Sequence, residues 1–119
     1  MALTKKTPDT IKATLKVKSQ GVENTLMLTY HNRSPDEYEK FVKNPENLKA
    51  PDDLDDNKGI AHINTNLVLF LVKSFDDGTD KDFPLTYDGL MELDSIWPGT
   101  LFGIIRGFHQ SRMAAVEKN

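Results

Sequence analysis

Two segments of strict two-residue alternation, separated by Ser19-Gln20-Gly21, constrain this chain more than any other feature. In the first, Ile11, Ala13, Leu15 and Val17 alternate with Lys12, Thr14, Lys16 and Lys18. In the second, Leu26, Leu28 and Tyr30 alternate with Thr25, Met27 and Thr29. Side chains of a strand point alternately to opposite faces, so each segment reads as a strand with one apolar and one polar face. Gly21 supplies the φ > 0 that a tight turn needs. Residues 10–31 therefore form a β-hairpin. Two strands alone are marginal in water, so later helices or a neighbouring subunit must cover the apolar face.

The rest of the chain reads as helical. Residues 1–9 are a polar lead-in. Ser34-Pro35-Asp36-Glu37 is a helix start, with Ser34 and Glu37 spaced for a capping box and Pro35 at the first helical position. Asn44-Pro45 ends that helix. Residues 44–58 read as an exposed acidic loop, with Asp52-Asp53-Leu54-Asp55-Asp56 at its centre. From Gly59, Ile60, Ile63, Leu67 and Leu71 recur at helical steps toward Phe75, with Asp56 or Asn57 as the cap and Asp76-Asp77-Gly78 as the stop. Thr86 caps a further helix, with Leu85 and Leu90 placed as a hydrophobic staple. After Trp97-Pro98-Gly99, a last helix begins at Pro98 and carries Leu101, Phe102, Ile104, Ile105, Phe108 and Met113. Gly99, Gly103 and Gly107 recur every four residues along it, a groove for close approach of another helix. The expected fold is α+β: a single domain over residues 1–119, with an N-terminal β-hairpin followed by a bundle of about four α-helices over residues 34–116.

Composition narrows the function. With no cysteine, disulfides and thiolate chemistry are excluded. A net charge of −3 argues against a general nucleic-acid binder. No apolar run reaches the length of a membrane span, and no apolar segment follows the N-terminal lysines as in a signal peptide. Asp53, Asp55 and Asn57 match the opening of a calcium-binding EF-hand loop, but Lys58 stands where glycine is needed and Asn64 where the bidentate glutamate is needed. Asp76, Asp77, Asp80 and Asp82 read as a polar turn. His31, His62 and His109 show no metal-ligand spacing, and Ser111 lies outside any nucleophile motif. The reading is of a non-enzyme with no catalytic, cofactor-binding or metal site. The lysines of the first strand, with Lys5 and Lys6, read as a guarded sheet edge or as a contact for an acidic protein surface.

The layout resembles the tail assembly chaperones of long-tailed bacteriophages. The resemblance lies in the alternating N-terminal segment, the Ser-Pro-Asp-Glu helix start and the core helix leading to Asp-Asp-Gly. It continues through Phe83-Pro84-Leu85-Thr86-Tyr87-Asp88-Gly89-Leu90, the Trp97-Pro98-Gly99 opening of the closing helix and the ending Glu117-Lys118-Asn119. That ending can be encoded as GAA AAA AAC, which contains a slippery heptamer, and the resemblance implies a longer frameshifted form of the product. It also implies a non-enzymatic chaperone of virion assembly in the host bacterial cytoplasm, absent from the mature virion. Such a chaperone coats the tape measure protein and recruits tail tube protein. Trp97, Phe102, Ile105 and Phe108 are the expected partner-binding or self-association residues, since aromatic side chains dominate interface energetics. The competing readings are a small structural tail or head-tail completion subunit, and an acidic cytoplasmic inhibitor or adaptor module.

Overall fold

The computed structural model describes residues 2–114, so the Glu117-Lys118-Asn119 ending lies outside the described residues. The hairpin forms as the alternation requires. β1 (Thr10–Ser19) and β2 (Val22–His31) pair antiparallel in one unbroken register from Thr10–His31 to Ser19–Val22. The turn is only Gln20-Gly21, with φ of 54° and 80°. Two positive φ values in a two-residue loop are those of a type I′ turn, whose twist matches that of the strands.

α1 (Pro35–Lys43) starts on the expected reciprocal cap: the Glu37 amide donates to Ser34 Oγ at 3.2 Å and the Ser34 amide to Glu37 Oε1 at 3.1 Å. Residues 44–58 are not one loop. Asn44 ends α1 and also caps a single helical turn, α2 (Pro45–Leu48). Proline at a first helical position tolerates a helix start as readily as it marks a stop. α3 (Asp56–Leu71) then begins on Asp55, whose carboxylate accepts from the Lys58 amide at 2.8 Å, so neither Asp56 nor Asn57 is the cap.

The largest departure from the sequence reading follows α3. The helix stops at Leu71, and Val72–Phe75 form a third strand, β3, antiparallel to β2. The sheet order is β1-β2-β3. A bulge between Thr29 and Tyr30 leaves Lys73 without a register partner, so Val72 and Phe75 both reach the core despite their odd spacing. The free edge of β2 overrides a helical periodicity that has no stop signal at Leu71. After Asp76-Asp77-Gly78 comes a short 3-10 turn, Thr79–Lys81. α4 (Tyr87–Ile96) is capped by Thr86, whose Oγ1 accepts from the Gly89 amide at 3.1 Å. α5 (Thr100–Arg112) starts two residues later than expected: Gly99, at φ 90°, is its N-cap, and Pro98 lies outside the helix.

The helices stack on one face of the sheet. Leu26, Leu28 and Tyr30 of β2 meet Val68 and Leu71 of α3, Leu90 and Leu93 of α4, and Leu101, Ile104 and Phe108 of α5 in one core. Tyr30 is fully buried, and its hydroxyl donates to the Ile104 carbonyl at 2.7 Å. Of the glycine row on α5, Gly107 serves this packing, against the sheet and not against a second helix. A β-carbon at Gly103 would sit 3.5 Å from the Val17 methyls, and one at Gly107 would press on Leu15 and Tyr30 Oη at 2.7 Å. Two positions expected in the core lie outside it: Ile60 is 59% exposed and Met113 74%. No helix among the described residues is long and apolar enough to cross a membrane.

Candidate partner-binding site

The Trp97-Pro98-Gly99 break is fixed from both sides. Trp97 closes α4, its amide donating to the Leu93 carbonyl at 2.8 Å, and its carbonyl accepts from Thr100 Oγ1 at 2.8 Å. The hairpin tip docks on Pro98 and on Ile96 just before the break. Ser19 Oγ donates to the Pro98 carbonyl at 2.8 Å, and Gln20 Nε2 to the Ile96 carbonyl at 2.7 Å. Carbonyls left over where a helix ends are thereby satisfied by side chains from the far end of the fold. Asp94 Oδ1 accepts from the Leu101 amide at 3.4 Å, placing a carboxylate at the positive end of α5.

The four residues singled out in the sequence do not form one surface. Ile105 and Phe108 are 7% and 1% exposed and belong to the core. They fall on the side of α5 that meets the sheet, because the buried positions of that helix include both, together with Leu101 and Ile104. Trp97 is half-buried and lines a shallow depression with Val17, Leu26 and Phe83, on the hairpin side of the break. Phe102, 55% exposed, does not line that depression. A partner surface built from these residues would therefore contain Phe102 but neither Ile105 nor Phe108.

Phe102 lines a groove of about 980 Å³ between α3, α4 and the start of α5. Ile60 and Ala61 come from α3, Met91 and Ser95 from α4, and Pro98 and Gly99 from the break. Lys58, Glu92 and Asp94 supply its charged members. Ile60 and Phe102 are both more than half exposed, an arrangement that water disfavours and an apolar partner would relieve. Sequence reasoning missed Ile60 and Met91 as surface residues. The signal that could have found Ile60 was the width of the apolar arc on α3, which carries more hydrophobic side chains than one buried stripe can hold.

The remaining polar side chains make local pairs. His62 Nδ1 lies 2.7 Å from Tyr87 Oη, joining α3 to α4, and His109 Nε2 lies 3.3 Å from Tyr38 Oη, joining α5 to α1. His31 is held below the usual histidine range by partial burial and by the nearby cations Arg33 and Lys73. Asp76 is drawn below the usual carboxylate range by hydroxyl donors from Thr29 at 2.6 Å and Ser74 at 2.7 Å. No group of three or more histidine, aspartate or glutamate side chains forms a metal-ligating cluster among the described residues. Comparison with family models, with curated proteins and with solved structures returns no match.

Proposed function

We propose that this chain is a non-enzymatic tail assembly chaperone of a long-tailed bacteriophage, acting in the host cytoplasm. It holds an amphipathic helix of the tape measure protein and brings tail tube subunits to it. The observation that carries this reading is the groove between α3, α4 and α5, with Phe102 and Ile60 exposed on its walls. An apolar groove between helices takes the apolar face of another helix, with anchors spaced at helical steps. Burying the exposed halves of Phe102 and Ile60 would contribute roughly 1 kcal/mol each. The sequence resemblance supplies the identity of the partner.

The test is co-purification of the full chain with the cognate tape measure protein. Phe102→Asp, which puts a charge in the groove without touching the core, should abolish capture while leaving the circular dichroism spectrum unchanged. Undiminished capture by this folded variant would remove the site. Stoichiometric presence of the chain in finished virions would replace the chaperone with a structural tail or completion subunit.

A further inference from the structure

The apolar groove does not end at Phe102. Phe102 and Gly99 also line a second groove of about 460 Å³, between β1 and α5. One wall is the β1 segment from Thr14 to Lys18, and the other carries Arg106 and Gln110. Its charged members are Lys16, Lys18 and Arg106, and all are cations. The sequence sets this up by two periodicities. Alternation puts both lysines on the face of β1 opposite Leu15 and Val17, which pack toward α5, and they border the groove at the free edge of the strand, β1 being an edge strand of the sheet. Arg106 follows Phe102 by four residues and so shares its side of α5, with the guanidinium carbon 5.9 Å from the Phe102 ring centroid.

Among the described residues none of these cations makes a salt bridge. The salt bridges among the described residues are Arg33–Glu37 and Lys43–Glu39, and neither involves this groove. Glu23, opposite Lys18 in the hairpin register, is the nearest acid along the strands and makes no salt bridge with it. In a chain of net charge −3, this groove has three cations and no acid in its lining, whereas the adjoining apolar groove carries Glu92 and Asp94 beside Lys58.

We infer that the helix held in the apolar groove carries acidic residues at one end, and that this end lies over Lys16, Lys18 and Arg106. This rests on the groove being a partner site, as proposed above. A second copy of this chain is the poorer occupant. Its β1 edge would bring lysine against lysine, and its acidic run Asp52–Asp56 holds only Leu54 to fill the apolar part. Complementary charge at one end fixes which way the helix lies and raises the rate of encounter.

The probes are two synthetic amphipathic helical peptides that differ only at one end, which carries glutamates in one and lysines in the other. Their binding to the full chain is read by fluorescence anisotropy. The glutamate peptide should bind on the order of tenfold tighter at low salt, since three partly exposed ion pairs combine to about that factor. The preference should shrink at high salt. It should disappear in K16Q/K18Q/R106Q and reverse in K16E/K18E/R106E, whose changed side chains are all exposed. Phe102→Asp should weaken both peptides and preserve their ratio. Equal affinity of the two peptides for the parent chain, or an unchanged preference in a folded charge variant, overturns the inference and leaves the groove standing. Failure of both peptides to bind, or indifference of both to Phe102→Asp, overturns the groove itself. Dimerisation blocked by Phe102→Asp would assign the groove to a second copy.

Discussion

Gly89→Ala is the sharpest test of the packing that builds the groove. Gly89 lies in the first turn of α4, where the incoming chain folds back over the helix. A β-carbon there would collide with the Pro84 carbonyl oxygen and sit 2.9 Å from the Pro84 nitrogen. Both are backbone atoms, and the carbonyl is already bonded to the Thr86 amide at 2.8 Å, so no side-chain rotation relieves the clash. Overpacking of this kind costs roughly 1–3 kcal/mol. Moving residues 84–86 away would also disturb the Thr86 cap, worth about 1 kcal/mol. Alanine gains about 1 kcal/mol over glycine in helix preference, which offsets part of the loss. The net expectation is a destabilisation of about 2 kcal/mol, or a Tm lowered by roughly 6–10 °C for a chain of this length. Gly103→Ala is the internal control. Its β-carbon meets only the Val17 methyls, at an ordinary 3.5 Å, so the helix preference goes unopposed. That variant should match the parent or gain up to about 1 kcal/mol. Urea unfolding of the three proteins, with equal m-values, measures the difference. A Gly89→Ala protein as stable as Gly103→Ala would refute the reasoning, because the close approach of Pro84 is its only basis.

Three further outcomes follow from the same geometry. Gly107→Ala should cost about 1–2 kcal/mol, because its β-carbon presses on Tyr30 Oη, which is pinned to the Ile104 carbonyl; the cost should shrink in a Tyr30→Phe background, and an unchanged cost there would exclude the hydroxyl as the cause. Thr65 is fully buried on α3 with no partner for its hydroxyl among the described residues, so Thr65→Val should stabilise the chain by about 1 kcal/mol; a lower urea midpoint would mean the hydroxyl has a partner. Asp76 has a lower carboxyl pKa folded than unfolded, so its contribution is complete above the usual carboxylate range and is lost as pH falls below about 4. Urea midpoints of the parent should therefore drop on acidification more steeply than those of Asp76→Asn, and parallel pH profiles would exclude this carboxylate.

The parts of the fold legible in the sequence are those written by local chemistry. The hairpin follows from alternation, and the starts of α1 and α4 follow from Ser34 and Thr86, whose capping bonds need nothing beyond the next three residues. β3 was not legible. Val72–Phe75 continues the apolar run of α3, and only the unpaired edge of β2, some 45 residues earlier by the Leu28–Phe75 pairing, makes a strand the better use of it. The α5 glycines were legible as sites of close approach, but the partner could not be read: Gly107 answers to Leu15 and Tyr30, which its own helix cannot reveal. The site was half legible for a related reason. Phe102, Ile105 and Phe108 fit one helical face nearly as well as two, so periodicity alone cannot separate the exposed ring from the buried pair. The sheet decides, by covering the Ile104–Phe108 side and leaving Phe102 to the groove.

The hairpin and the groove are parts of one device. Gly99 and Phe102 form the ridge between the apolar and basic depressions, and their position depends on the bend after Ile96. Gly99 at φ 90° has the freedom to take other bends, and this one is held on the helix side by Thr100 Oγ1 on the Trp97 carbonyl and the Leu101 amide on Asp94. It is held from the hairpin side by Ser19 and Gln20, whose side chains donate to the Pro98 and Ile96 carbonyls. Their ability to do so depends on the type I′ turn, which gives Gln20 a φ of 54° that a non-glycine residue adopts at some cost. A glycine at position 20 would ease the backbone but remove the amide that reaches Ile96. The same β1 strand that ends in this clamp carries Lys16 and Lys18 along the basic groove. One ten-residue strand therefore helps hold the angle of the ridge and carries charge beside it. This accounts for a long, regular hairpin in a chain whose core is otherwise built mainly from helices.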